Sequence, residues 1–329
     1  MQFANERELH DISDLIEEAK AMQAKGAGIT GGDPLAKLER TCSYIKTLKE
    51  TFGKEFHIHL YTSLNLVNTE ILQKLFDAGL DEIRFHADLD EEKLWPKLGL
   101  AKAFSWDVGV EVPLIIGKEK ELKRLIGFIT GKDDGIKKAD FLNLNELEVA
   151  DNEHYTQEGQ TKGNLSYAIA GSLDLGLKLL YYIKEQDLKL PAHLCTAKLK
   201  DAIQLSERIK RESLGMKKKF DIVDEEGMLI RGALYLPELM PGFHYREKLK
   251  NAEAKGVIEK LKPLYGQIKK KFDLDEDEIG IDLQKPRILM SKKLCKKKKA
   301  YFLGLGLKPA LVIEYPTADQ LEIEVEFIG

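Results

Sequence analysis

Cysteine is scarce in this sequence: three among 329 residues, at positions 42, 195 and 295. Separations that wide exclude a disulfide framework and a Cys-x2-Cys metal knuckle, leaving buried free thiols as the reading. Long hydrophobic runs are missing too, since none approaches the roughly 18 apolar residues that span a bilayer. The N-terminus, MQFANERELHD, has neither the basic nor the apolar region of a signal peptide. Cytoplasmic residence and no membrane partner are expected. An excess of one charge is absent as well: 51 Lys and Arg face 55 Asp and Glu, for a formal net charge of −4. That balance argues against a nucleic-acid partner, whose binding domain would be basic.

What is abundant is charge of both signs. Asp, Glu, Lys and Arg make up 32% of the chain, which predicts a surface laced with ion pairs, as in many thermophile proteins. A hydrophobic content of 43% is ordinary for a globular protein. The length suffices for a large domain plus a smaller one.

Hydrophobic spacing predicts an alternation of helices and strands. Ile12, Leu15, Ile16, Ala19 and Met22 recur at helical spacing over 12–25, with Asp11 or Ser13 as cap. A short strand, GAGIT, is followed by a glycine turn and a helix over 35–52 that stops at Gly53. Further strands are expected in EFHIHLYTS, LDEIRFHAD, DVGVEVPLIIG (107–117), ADFLNLNELEV (139–149) and LKLPAHLC, with helices at 68–78, 119–130, 166–184 and 197–213. The segment 107–117 reads as a strand buried on both faces, and 151–164 as a loop. Such alternation means a parallel sheet covered by helices.

The pattern changes near residue 216, dividing the chain into domains 1–215 and 216–329. A β-hairpin turning at Glu226-Gly227, a charged helix over 245–272 and strands at 301–304, 310–315 and 321–328 read as a smaller C-terminal α+β domain. The lysine run KKLCKKKK is taken as a solvated face.

Polar residues recur at the C-terminal ends of successive strands: Thr30 with Gly31, Gly32 and Asp33, then Tyr61, Thr62 and Ser63, then Arg84 and His86, then Glu111, then Asn143, Asn145 and Glu146. In β/α barrels that rim binds ligands, so a barrel or partial barrel is preferred to an open sheet. GAGITGGDPL is neither a Walker loop nor a dinucleotide fingerprint. As a turn it needs no function, because glycine permits unusual backbone angles and Pro34 can open a helix. At a strand's C-terminal rim, its backbone groups and the Asp33 carboxylate suit an ammonium or amino group. His57 and His59 share one strand face, and His86 shares another with Arg84. Without an HxH at the first strand end and an Asp at the last, structural roles are assigned to these histidines, and no metal is assigned.

The ordered series GAGITGGDPL, HIHLYTS, LFDAGLDEIRFHAD, VGVEVPLIIG and ADFLNLNELEV resembles the radical S-adenosylmethionine (radical SAM) superfamily over about residues 3–215. Within it, archaeal proteins related to the pyruvate formate-lyase activating enzyme are the nearest likeness. The resemblance implies a partial (β/α) TIM-like barrel, with Gly31, Gly32, Asp33 and Pro34 matching the Gly-Gly-Glu-Pro segment that hydrogen-bonds the methionyl amino group of S-adenosylmethionine. Asp33 keeps the charge of the usual Glu and is one methylene shorter. By the same likeness Thr62 or Ser63 lies near the ligand, Arg84 and His86 near its ribose and carboxylate, Glu111 at the next strand end, and Asn143 and Asn145 on the adenine side.

The family's Cys-x3-Cys-x2-Cys loop, which holds a four-iron four-sulfur (4Fe-4S) cluster, is absent from the sequence. Met1 falls just past its expected place, so the resemblance implies a chain missing the first strand and the cluster loop. An upstream start or a true loss of the cluster would each explain this, truncation being preferred. The complete enzyme would cleave S-adenosylmethionine reductively to a 5′-deoxyadenosyl radical, with ferredoxin or flavodoxin as electron donor and a protein or small molecule as substrate. The chain as given would be inactive. The alternative is a cluster-free barrel serving as a binding or assembly module.

Overall fold

The computed structural model describes residues 2–149, 161–163, 166–251 and 256–329. They fall into two compact units, Ala24–Gln204 and Met1–Gln23 with Leu205–Gly329. The chain opens with β1 (Phe3–Ala4) paired antiparallel to β2 (Arg7–Glu8), followed by helix Ile12–Ala21. Of the two candidate caps for that helix, Asp11 serves. Its side chain accepts from Ser13 N while the Asp14 carboxylate accepts from Asp11 N, so two orphan donors are satisfied reciprocally.

The unit Ala24–Gln204 is built on six parallel strands: β3 (Gly26–Ile29), β4 (His57–Ser63), β5 (Glu82–His86), β6 (Asp107–Pro113), β7 (Phe141–Asn145) and β8 (Ala192–Cys195). Each strand neighbours the next in chain order from β3 to β8. A sheet that never reverses its strand order has no topological switch point, unlike a doubly wound sheet. Helices Leu38–Phe52, Thr69–Ala78, Glu119–Thr130 and Ser172–Glu185 make the longer crossovers, as parallel pairing requires.

The two faces of this sheet differ sharply. Ile58, Leu60, Ile83, Phe85, Val108, Val110, Val112, Leu142 and Leu144 are all 0% exposed. They alternate along their strands with His59, Tyr61, Arg84, Glu111, Asn143 and Asn145, which are half-buried and polar. The apolar face supplies most of the cohesion, at about 1.5–3 kcal/mol for each large aliphatic side chain fully buried. Strand β6 therefore departs from the expectation of burial on both faces: Asp107 is exposed and Glu111 half-buried, and the strand ends at Pro113. Two aspartates fix the strand starts. Asp81 accepts from Ile58 N at 2.6 Å and pairs with Lys49, and Asp140 accepts from Val108 N at 2.9 Å and pairs with Lys102 at 2.7 Å. Burial works to raise the Asp140 carboxyl, but the Lys102 and Val108 hydrogen bonds outweigh it and hold the group below the usual carboxylate range.

The second unit contains an antiparallel sheet of β9 (Ile222–Val223), β10 (Leu229–Tyr235), β11 (Ile279–Asp282), β12 (Arg287–Met290), β13 (Lys308–Glu314) and β14 (Glu322–Phe327). The order is β11-β12-β10-β13-β14, with β9 also on β10. The hairpin β9–β10 turns at Gly227, whose φ of 92° only glycine adopts readily. Helices Ile12–Ala21 and Ser206–Met216, placed with the barrel by sequence, lie in this unit. They cross at Gly215, where a Cβ would stand 2.0 Å from the Ala21 carbonyl oxygen.

Several elements differ from the sequence expectation. Residues 301–304 belong to helix Lys299–Gly304, not a strand; Phe302 is buried there and the run YFLG is too short for periodicity to choose. The hairpin β11–β12 was not expected, because its strands are four residues each and carry a lysine and a proline between them. The expected helix 166–184 begins only at Ser172, and 197–213 divides into Ala197–Leu199, a π-turn Lys200–Leu205 and Ser206–Met216. The described helices within 245–272 are Tyr245–Lys250 and Val257–Phe272. Of the loop expected over 151–164, only 161–163 lie within the described residues. No helix is long and apolar enough to cross a membrane among the described residues.

Candidate functional site

The polar ends of the parallel strands converge on a cavity of about 600 Å³. Its first wall is the turn after β3. Gly31 has a φ of 109°, a conformation that costs an L side chain, and this turns the chain so that Asp33 can cap the short helix Pro34–Lys37 through Leu35 N at 3.0 Å. The same carboxylate accepts from Thr62 Oγ1 at 2.8 Å and from Ser63 Oγ at 2.7 Å and Ser63 N at 3.2 Å. One side chain thus joins the turn after β3 to the end of β4. All of these partners are neutral, so no cation cancels the Asp33 charge among them.

The floor is centred on Glu111. Asn143 Nδ2 donates to Glu111 Oε2 at 3.0 Å, Asn145 Nδ2 donates to Oε1 at 2.9 Å, and the Arg84 guanidinium stands 3.5 Å from Oε2. Parallel register produces this contact, because Glu111 lies opposite Asn143 on β6 and β7. Arg84 is itself held by Glu82 and donates to Tyr61 Oη at 2.7 Å. Burial, then the Glu111 charge, pushes the Tyr61 phenol up, so it stays a neutral hydrogen-bonding group near neutral pH. The far wall comes from the segment after β7. There Glu148 pairs with Lys200 at 2.8 Å, and buried Glu146 pairs with Lys162 and accepts from Ala197 N at 2.9 Å.

Of the residues singled out in the sequence, Thr30, Gly31, Asp33, Tyr61, Thr62, Ser63, His86, Glu111, Asn145 and Glu146 line this one cavity. Arg84 and Asn143 lie behind that lining, in contact with Glu111, and Gly32 is exposed beside Gly31. Sequence reasoning did not single out Pro113, Leu147, Glu148 or Lys200, which also line it. Only the oppositely charged Glu148 and Lys200 carried any signal, and they are too far apart in sequence to be paired by inspection. Chemically, the cavity offers a carboxylate with only neutral partners among the described residues at one wall, and amides, hydroxyls and a phenol elsewhere. That set suits a polar ligand carrying positive charge.

A protein of Methanocaldococcus jannaschii, provisionally named a glycyl-radical enzyme activating enzyme, is 36% identical to this chain over 339 aligned residues, covering 98% of this chain and 81% of its own length. The chain belongs to the glycyl-radical enzyme activating enzyme family. No family model matches it. In radical SAM activating enzymes the family implies S-adenosylmethionine and a 4Fe-4S cluster, and the cysteines here test the second of these. Cluster ligands are thiolates. Burial instead pushes up the thiols of Cys42 and Cys195, and that of Cys295 to about 12. Cys42 Sγ rests on the Lys74 carbonyl at 3.7 Å and Cys295 Sγ on that of Ala310 at 3.5 Å. No cysteine joins a group of three potential metal ligands among the described residues. These three side chains do not fit a cluster.

Proposed function

We propose that the strand-end cavity of this activating-enzyme relative binds S-adenosylmethionine, and that the sheet β3–β8 forms part of a TIM-like barrel around it. The observation that carries this reading is Asp33: a carboxylate fixed by neutral donors at the mouth of the cavity, in the turn that matches the family's methionyl-binding segment. Its negative charge favours the ammonium and sulfonium of the ligand. The exposed backbone of Gly31 and Gly32 supplies carbonyl acceptors for the amino group, and Glu111, oriented by Asn143 and Asn145, accepts from ligand hydroxyls.

The activity proper to the family is one-electron reductive cleavage of S-adenosylmethionine to methionine and a 5′-deoxyadenosyl radical, which takes a hydrogen atom from a glycine of a glycyl-radical enzyme and leaves the radical there. We therefore assign a protein of that kind as the substrate class, and a low-potential carrier such as ferredoxin or flavodoxin as the electron source. The residues of this chain bind and orient the nucleoside ligand. No step is assigned to the three buried cysteines.

Anaerobic incubation of this chain with iron, sulfide, dithionite and S-adenosylmethionine tests the assignment. The expected result is ligand binding without 5′-deoxyadenosine. Stoichiometric 5′-deoxyadenosine from the chain would overturn the conclusion drawn from its cysteines.

A further inference from the structure

At the opposite, N-terminal ends of the same strands, three side chains stand together outside the cavity lining. His57 opens β4, His59 follows two residues on and so projects from the same sheet face, and Glu82 lies opposite His59 in the parallel register. One ligand atom from each of the three can be chosen so that all lie within 4.8 Å of one another. We propose that His57, His59 and Glu82 form a binding site for a divalent first-row cation of the zinc type. This inference is independent of the nucleoside-binding assignment.

The donor set selects the metal class. Two imidazoles and one carboxylate suit Zn²⁺, Co²⁺ or Ni²⁺, whereas Mg²⁺ and Ca²⁺ call for oxygen ligands. Three protein ligands of the His2Glu type leave a further position for water. The two oxygens of Glu82 have separate roles: Oε1 is held by Arg84, and Oε2 faces His57 Nε2 at 3.2 Å. A ligating carboxylate oriented by a neighbouring cation-bearing group is a usual supporting arrangement. A simple His57–Glu82 ion pair would satisfy those two residues and leave His59 unexplained. The His59 ring is half-buried, touches the rings of His57 and Tyr61, and has no hydrogen-bond partner among the described residues.

Room for that ring is made by Gly28 on the adjacent strand, where a Cβ would stand 2.6 Å from His59 Nε2. Tetrahedral coordination with metal–ligand distances of about 2.0–2.2 Å sets ligand atoms roughly 3.3–3.6 Å apart. Closing from the present spacing of up to 4.8 Å requires a shift of about 1.2–1.5 Å by the ligand most open to solvent. His57, with 48% of its side chain exposed, is free to make it and gives the ion a route in from solvent.

Calorimetric titration of ZnCl₂ into the chelator-treated chain tests the site, alongside His59→Gln and His57→Gln. One equivalent per chain is expected, with affinity at least tenfold weaker in each variant and a metal-induced rise in melting temperature that both variants lose. Metal-free melting curves show whether each variant folds, and either one that does suffices. The Co²⁺ form should show tetrahedral visible bands without a thiolate charge-transfer band. Absence of saturable binding, equal affinity in a folded variant, or a thiolate band would each overturn the proposal.

Discussion

At Asp33 one carboxylate serves two strands: it receives Leu35 N, Thr62 Oγ1, Ser63 N and Ser63 Oγ at once. Asp33→Ala leaves those donors without an acceptor, and hydrogen bonds to charged groups contribute about 1.5–3 kcal/mol each without adding fully. The expected loss is about 2–4 kcal/mol, read from the urea midpoint at unchanged slope. A second residue-scale prediction concerns pH. Glu212 is buried and pushed up to about 7, first by burial and then by the Glu18 charge. The folded chain then holds a proton that the unfolded chain releases near 4.5, so stability falls as pH rises between 4.5 and about 7. Glu212→Gln removes this penalty. Its melting temperature should exceed that of the parent by several degrees at about pH 8, where the gain is of order 1–3 kcal/mol, and match it at about pH 4.

Among elements, the antiparallel sheet is joined by a buried charge network. Arg287, 0% exposed, donates to Asp282 at 3.0 Å, Glu314 at 2.8 Å and Tyr235 Oη at 3.0 Å, tying β12, β11, β13 and β10 together. Glu314 also takes Arg231 at 3.1 Å. Arg287→Met strands buried Asp282 and leaves Glu314 with Arg231 alone, and losing one partner of a buried pair costs about 3–5 kcal/mol. Urea denaturation followed by circular dichroism should show that loss as a lower midpoint. None of the network was legible in the sequence, since its members are scattered from 231 to 314 and only pairing register brings them together. The alternation of strand and helix was legible because helical and strand periodicities differ. It failed where segments were short, as at 301–304 and 279–290. The turn at Gly31 to Pro34 announced itself through glycine and proline chemistry. By contrast, the grouping of His59 with Glu82 depends on a cross-strand register that spacing alone cannot supply.

For the whole molecule, the sheet β3–β8 is divided between an apolar face that holds it together and a polar face that ends in a ligand-sized cavity. Membership of the activating-enzyme family and the chemistry of that cavity are the two grounds on which S-adenosylmethionine is proposed as its ligand. The cysteines are buried, and burial pushes their thiols up, in keeping with structural roles. The proposed function therefore assigns ligand binding to the rim and no radical generation to the three thiols. The most direct test is calorimetric titration of S-adenosylmethionine into the folded chain and into Glu111→Gln, with S-adenosylhomocysteine as the neutral-sulfur comparison. The account predicts one site per chain, weakened at least tenfold by Glu111→Gln and weaker for the analogue without the sulfonium charge. Failure of the folded chain to bind S-adenosylmethionine saturably would contradict it.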